Sequence, residues 1–436
     1  MKLIQGFSKL SKEQKVQFIA NRLSNDGQDQ NIDAQKVKEQ LLSFWHSDKK
    51  LQSTFDEFSE NTITNFYLPY GLVPNFVLNN EVYTVPMVIE ESSVVAALSK
   101  AAKFWSTRGG FKAEVIASEK IGQVHFIYEG DKESLKSFFE DKKIDILNSL
   151  APITVNMDKR GGGVRSIELV DLTDKEENYY QIKMSFETCD AMGANFINSV
   201  LEAVGKYLED SLGEDVQVVM CILSNYTPDC RVRAWVECPI EDLAEKSIGM
   251  NTATFASKFA RAVRIAHIDP HRATTHNKGI FNGIDGVVIA TGNDFRAVEA
   301  CGHTYAARDG QYRSLTNCKV ENGNFYFEID IPMALGTVGG LTKLHPLAKM
   351  SLDILERPSA NKLMMIAATV GLAQNFAALK SLVTSGIQKG HMKMHLMNIL
   401  GQLEATTTEK EQIVNHFADK VVSFSAVREE LNNLRS

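Results

Sequence analysis

The chain has 436 residues, 44% hydrophobic and 23% charged, with a formal net charge of -7. At roughly 150 residues per domain this length predicts two or three domains, and the near-average composition excludes disordered and fibrous classes. The acidic balance argues against nucleic acid as a partner, although a local basic pocket for a phosphorylated cofactor remains compatible with it.

Apolar residues recur at helical spacing over the first 60 residues, as in Val16, Ile19 and Leu23 and then Val37, Leu41, Leu42 and Trp45, which predicts a helical arm. The start lacks the apolar core of a signal peptide, and no run approaches the roughly 20 apolar residues of a membrane span, so a cytoplasmic protein with no membrane partner is expected. The six cysteines form no CxxC pair. Free thiols in a reducing compartment are expected.

An extended, proline-containing segment at 66–88 precedes Ser92-Ser-Val-Val-Ala-Ala-Leu-Ser-Lys-Ala-Ala-Lys-Phe-Trp105, a predicted helix that starts beside Glu90 and Glu91 and is ended by Gly109-Gly110. From about 113 to 224 the pattern is strand, helix, strand, strand, helix, strand, the order of a ferredoxin-like unit. Val124, Phe126 and Tyr128 mark its first strand, and Leu135, Phe138, Phe139 and Ile144 its first helix. Val164, Ile167 and Leu169 mark the second strand, and Tyr180, Ile182, Met184 and Phe186 alternate in the third. A second helix through Phe196, Val200, Leu201, Val204 and Leu208 stops at Gly213, and 216–223 is the last strand. Beyond 225, a helix at about 252–268, a motif-rich stretch, helices around 359–384 and a final Glu/Lys-rich helical segment complete the chain.

Asp190-Ala-Met-Gly-Ala-Asn195 lies between a strand and a helix, where free backbone N–H groups and the helix dipole suit a pyrophosphate; a simple helix cap fits the same spacing. Gly161-Gly-Gly163, preceded by Lys159 and Arg160, reads either as a flexible turn or as a second phosphate site. Glu90-Glu91 suits a helix N-terminus or a buried carboxyl with raised pKa, and Lys278 and Asp294 taken singly read as a solvated charge and a turn residue. His391 and His395 have the spacing of a zinc pair, but the intervening residues lack a glutamate and no third ligand cluster is apparent, so no metal is expected.

Taken together the motifs resemble those of the class II, bacterial-type, 3-hydroxy-3-methylglutaryl-CoA reductases. The resemblance rests on Glu60-Asn61, Leu68-Pro-Tyr-Gly-Leu-Val-Pro-Asn75, Val85-Pro-Met-Val-Ile-Glu-Glu91 and Asp190-Ala-Met-Gly-Ala-Asn195. It continues through Ile222-Leu-Ser-Asn225, Arg272-Ala-Thr-Thr-His-Asn-Lys-Gly279, Thr291-Gly-Asn-Asp294, Val370-Gly-Leu-Ala-Gln-Asn375 and Gly386-Ile-Gln-Lys-Gly-His-Met392. It implies an α+β fold: a large mixed α/β substrate domain (1–112 and 225–385), an inserted ferredoxin-like dinucleotide-binding domain (113–224) and a helical C-terminal flap (386–436). It also implies a homodimer, or a higher oligomer, with the active site at the subunit interface. The implied reaction is reduction of hydroxymethylglutaryl-CoA to mevalonate and CoA by two NAD(P)H, or its reverse.

By resemblance Lys278 stabilises the oxyanion, Glu91 donates the proton, Asp294 sits between them and His391 on the flap protonates the CoA thiolate. Arg272, Ser93, Asn277 and Gln374 line the substrate pocket. Asp190, Met192, Gly193, Ala194, Asn195 and Asn225 meet the dinucleotide. Lys159 and Arg160 lean towards NADPH over NADH, while the adjacent Asp158 suits the other choice. Thr64, Ser92 and Ser8-Lys9 depart from the family pattern, at a glycine, at a proline beside the acid and at a CoA-phosphate arginine respectively. Two rivals are an acylating aldehyde dehydrogenase, which needs a cysteine nucleophile, and a non-catalytic CoA- or nucleotide-binding protein built on the same fold.

Overall fold

The computed structural model describes residues 3–26, 33–384, 386, 396–417, 420 and 422–436. Helices α1 (Lys12–Asp26), α2 (Ala34–Ser43) and α3 (Lys49–Asp56) form the N-terminal arm. Asp33 and Asp48 cap α2 and α3 by accepting first-turn amides that have no partner within the helix. The extended segment is a hairpin of β1 (Tyr70–Leu78) and β2 (Glu81–Val88), turned by Asn79 and Asn80 at φ 50° and 68°. Both central residues of such a two-residue turn need positive φ, which asparagine tolerates. Helix α4 (Val94–Ser106) follows.

Two four-stranded sheets organise the rest. The first has the order β5-β6-β4-β7, every neighbour antiparallel, from β4 (Lys120–Tyr128), β5 (Gly163–Asp171), β6 (Tyr179–Glu187) and β7 (Val216–Leu223). With α5 (Lys132–Ser149), α6 (Ala151–Asp158) and α7 (Ala194–Leu212) this is the ferredoxin-like split βαβ arrangement. Its own core includes Val124, Phe126, Leu135, Phe139, Ile182, Met184, Leu201 and Val204. Ile144, expected to mark the apolar face of α5, points to solvent at 71% exposure, and Ile146 takes the buried position instead. Gly122 lets α7 approach β4 closely, since a Cβ there would lie 2.6 Å from Leu201 and 2.8 Å from Ile197.

The second sheet has the order β3-β8-β10-β9, from β3 (Lys112–Ser118), β8 (Cys230–Pro239), β9 (Thr316–Glu321) and β10 (Asn324–Pro332). Residues 113–118, placed by sequence at the opening of the inserted unit, belong instead to β3, which pairs with β8 of the larger sheet from Lys112 opposite Trp235 to Ser118 opposite Cys230. The chain leaves this sheet after Ser118 and returns at Cys230.

Around it pack α8 (Thr252–Ile268), α9 (Pro270–Ala290), α10 (Phe295–Ala306), the short α11 (Leu341–Leu344), α12 (Pro346–Ile354) and α13 (Ala360–Val383). By length and composition α13 is apolar enough to cross a bilayer, but 78% of that window is buried, as for the central helix of a folded core. Trp105 packs there against Phe376 and Phe325, with ring centroids 5.1 and 6.3 Å away. Near the C-terminus, helices Thr407–His416 and Phe424–Arg435 share a third core built on Leu400, Ile413, Val427 and Leu431. All six cysteines are free thiols.

Candidate active site

Helix α9 is the backbone of the site. Asp269 caps it by accepting the amides of His271 and Arg272, and Pro270 at its first position sacrifices no intrahelical hydrogen bond. Its middle is locked by buried polar contacts. His276 Nε2 lies 2.6 Å from Thr316 Oγ1 and 3.0 Å from Ser314 Oγ, and the Asn375 amide donates to the His276 carbonyl at 3.2 Å. Burial, then the charges of Arg272 and His267, push the His276 imidazole down to about 3, so it is neutral at physiological pH.

Asn277, expected in the substrate pocket, belongs to the same lock: it donates to the Arg313 carbonyl at 2.8 Å and accepts the Leu315 amide at 3.1 Å. Both ends of its amide are thus engaged in holding α9. The next residue, Lys278, turns outward and its ammonium binds the Glu91 carboxylate. Asn282, one turn further on, reaches the same Glu91 oxygen at 3.4 Å. Glu91 is presented by the loop between β2 and α4, where Ser93 precedes the helix at φ 76° without capping it through its side chain. A non-glycine residue at that φ is uncommon and costs energy, and such strain clusters where side chains must be aimed.

Asp294, expected between Glu91 and Lys278, makes no hydrogen bond or ion pair with either among the described residues. It caps α10, accepting the Arg296 and Ala297 amides, and both its oxygens bind the Arg296 guanidinium at 3.1 Å. Burial pushes its carboxyl up, but the Arg296 side chain and the capping amides outweigh this and leave it below the usual range. A carboxyl with raised pKa lies one helical turn beyond Asn282, at Asp285. Burial, followed by the charge and hydrogen bond of Glu299 and the charge of Glu90, pushes Asp285 up to about 8. One of its oxygens is buried without a partner.

A carboxyl held protonated in the fold and ionised when unfolded contributes stability that is complete below its unfolded pKa of about 3.9 and is lost as pH rises through its folded pKa. Between about pH 4 and 8 the protein therefore loses stability at Asp285. Asp285→Asn is expected to flatten the fall in melting temperature between pH 5 and 8, measured by scanning calorimetry; equal slopes in both proteins would count against the assignment.

Arg272, in the first turn of α9, has no ion pair or side-chain hydrogen bond among the described residues. The α9 geometry directs it away from Lys278: six residues at about 100° each is 240° around the axis. Gln374 on α13 is buried, and its side-chain carbonyl has no partner among the described residues, an acceptor available to a ligand donor. His391 lies outside the described residues.

The dinucleotide candidates gather at the other end. Gly193 stands before α7 at φ 92° and no side chain caps the helix, so its first-turn amides are left for an anion. A Cβ on Gly193 would lie 2.4 Å from Thr188, so glycine is required by space as well as by φ. Met192 and Asn225 line one cleft at this turn. Asp190 is turned away from it: its carboxylate accepts the Ala360 amide at the start of α13 at 2.8 Å, and its carbonyl accepts the Thr337 amide. Lys159 and Arg160 are exposed, and the Arg160 carbonyl receives the Cys189 thiol at 3.3 Å, which places the glycine turn beside the Asp190–Asn195 turn. Ala194 and Asn195 open α7 itself.

The profile of the hydroxymethylglutaryl-coenzyme A reductase family matches residues 22–396. The chain belongs to this family. The 3-hydroxy-3-methylglutaryl-coenzyme A reductase of Archaeoglobus fulgidus is 37% identical over 440 residues, covering 99% of this chain and 95% of that one. A solved Streptococcus pneumoniae 3-hydroxy-3-methylglutaryl-coenzyme A reductase superposes with TM-score 0.72 at 36% identity over 99% of both chains. A class II structure from the same organism, bound to NADPH in open conformations, gives 0.71 at 37% identity over 92% of this chain and 98% of that one.

Membership in the reductase family bears on the rivals. Burial pushes Cys230 and Cys318 up to about 12 and Cys221 and Cys238 to about 11, and raises Cys301 as well, which is the opposite of what a thiolate nucleophile needs. Among the described residues no group of three His, Cys, Asp or Glu is arranged to hold a metal.

Proposed function

We infer that the Lys278–Glu91 pair is the reaction centre of an NAD(P)H-dependent hydroxymethylglutaryl-CoA reductase. The observation that carries this is an ammonium and a carboxyl held together by two different elements, α9 and the β2–α4 loop. When bound, the nicotinamide supplies hydride, so that hydroxymethylglutaryl-CoA, two NAD(P)H and two protons become mevalonate, CoA and two NAD(P)+. The chain's task is to place charge and protons around the thioester oxygen.

Lys278 donates to that oxygen as negative charge develops on it, a stabilisation made in the transition state more than in the ground state. Glu91 delivers the proton. Arg272, with no ion-pair partner among the described residues, pairs with the free carboxylate of the substrate in a planar two-point contact. Ser93, Asn282 and Gln374 complete the polar lining. Asp294 is proposed to support Lys278 after releasing Arg296. That guanidinium is 76% exposed, and an exposed pair of this kind is worth about 0–1 kcal/mol, so exchange is cheap. Histidine is the side chain whose ordinary pKa lies nearest 7, and His391 is assigned protonation of the departing thiolate. The open amides at Gly193–Asn195 suit the dinucleotide pyrophosphate, and exposed Lys159 and Arg160 favour NADPH through its 2′-phosphate.

Glu91 and Lys278 are 38% and 58% exposed, too wet for strong electrostatic catalysis. Further walls are needed, and a second copy of the chain together with the C-terminal helices would supply them; a homodimer, read by sedimentation, follows. The decisive assay is absorbance at 340 nm with purified protein, hydroxymethylglutaryl-CoA and either cofactor. Two cofactors oxidised per CoA released is the expected result, and no turnover by folded dimer would sink the reading.

A further inference from the structure

Lys120 stands at the start of β4, and nothing in the reaction scheme above uses it. Its alternation with Gly122, Val124, Phe126 and Tyr128 turns it to the inner face of the strand. It is 4% exposed. Its ammonium donates to the Thr188 hydroxyl at 2.6 Å, and that hydroxyl donates to the Ala191 carbonyl at 2.7 Å. No carboxylate comes within ion-pairing distance of Lys120 among the described residues. Glu187, beyond its strand partner Phe186, is occupied by the Ser118 hydroxyl and the Cys189 amide. A buried cation with no counter-ion is costly unless something anionic joins it.

The surroundings indicate the anion. Lys120 lines the same cleft as Met192, Ser224 and Asn225, closed on the far side by Ala297 and Ala334 of the larger unit. Through Thr188 it is tied to the turn that begins α7, and Gly193 packs on that same threonine. A helix N-terminus with uncapped amides and an unpaired buried ammonium therefore meet at one point. The cleft is narrow, about 10 Å³, room for roughly one water, so an incoming phosphate group must part its two walls.

We propose that Lys120 is a cofactor-binding residue whose ammonium pairs with the pyrophosphate bridge of the nicotinamide dinucleotide. The assignment rests on the reductase reading above. Because NADH and NADPH share that bridge, Lys120 contributes affinity without choosing between them, and the choice falls to groups elsewhere, such as Lys159 and Arg160.

The test is titration of the full-length protein with NADH, NADPH and ADP-ribose, followed by fluorescence or calorimetry, for wild type, Lys120→Met and Lys120→Arg. Methionine is expected to weaken all three ligands by the same factor, about 10- to 100-fold for a hydrogen-bonded charge, with most of the loss recovered by arginine. The apo Lys120→Met protein should melt no lower than wild type, since an uncompensated charge has been removed. Unchanged affinity would overturn the proposal, as would a loss confined to NADPH, which would put the 2′-phosphate at Lys120. A lower melting temperature with no recovery by arginine would make the lysine structural and also overturn it. Wild-type protein that binds neither cofactor would remove the reductase reading and this inference together.

Discussion

Lys278→Ala is expected to lower kcat about 10²- to 10³-fold with little change in cofactor affinity, the usual loss when one donor to a developing oxyanion is removed. The side chain is 58% exposed and its one partner among the described residues is Glu91, so the fold does not depend on it. The helix beneath is held by His276, Asn277 and Asn375, which the substitution leaves in place. Lys278→Arg keeps the charge but spreads it over a planar fork, and recovery should be poor because a compact ammonium is what fits beside Glu91. Steady-state kinetics with a melting curve as control decides the matter; kcat within tenfold of wild type would remove Lys278 from the centre.

Glu91→Gln is expected to cost about 10²- to 10⁴-fold in kcat, the range associated with losing a positioned proton donor. Glutamine preserves the volume and can still accept from Lys278, so substrate binding should survive while proton delivery does not. If Glu91→Gln stays active and Glu91→Ala does not, Glu91 merely positions Lys278, and the proton must come from another group.

Much of the fold was legible because its signals are local. Alternation marked the strands of the inserted unit, and the turn residues before α7 and after Leu212 ended elements where the chain does turn. The opening of that unit falls after β3 rather than before it, because only pairing with β8, far along the chain, assigns residues 112–118 to the other sheet. The site was less legible. Asn277 and Asn282 are both asparagines near Lys278, and helix geometry separates them: i+4 shares the face of Lys278 whereas i−1 lies about 100° away. Applied to α9, that rule points to Asn282 and then Asp285. Asp294 carries a strong capping signal in its own right, and in this structure the cap is what its carboxylate does. Lys120 fell outside the reading because a lysine at the edge of a strand looks solvated until its burial is seen.

The double crossing between the two sheets also governs how the chain must assemble. Ser118 and Cys230 face each other in the larger sheet, yet everything from β4 to β7 lies between them in sequence. Closing so long a loop from an unfolded chain carries an entropy cost that grows with its length. If the inserted unit folds first, its own core meets that cost and brings the two ends together. The Glu119 amide is then delivered to the Asp229 carbonyl at 3.0 Å and the Ser224 amide to the Ile121 carbonyl at 2.8 Å, so the two exits emerge side by side. All three tryptophans, Trp45, Trp105 and Trp235, lie outside the inserted unit. In refolding, β-sheet signal should therefore appear before tryptophan fluorescence, with the small unit serving as the clamp on which the larger core is closed.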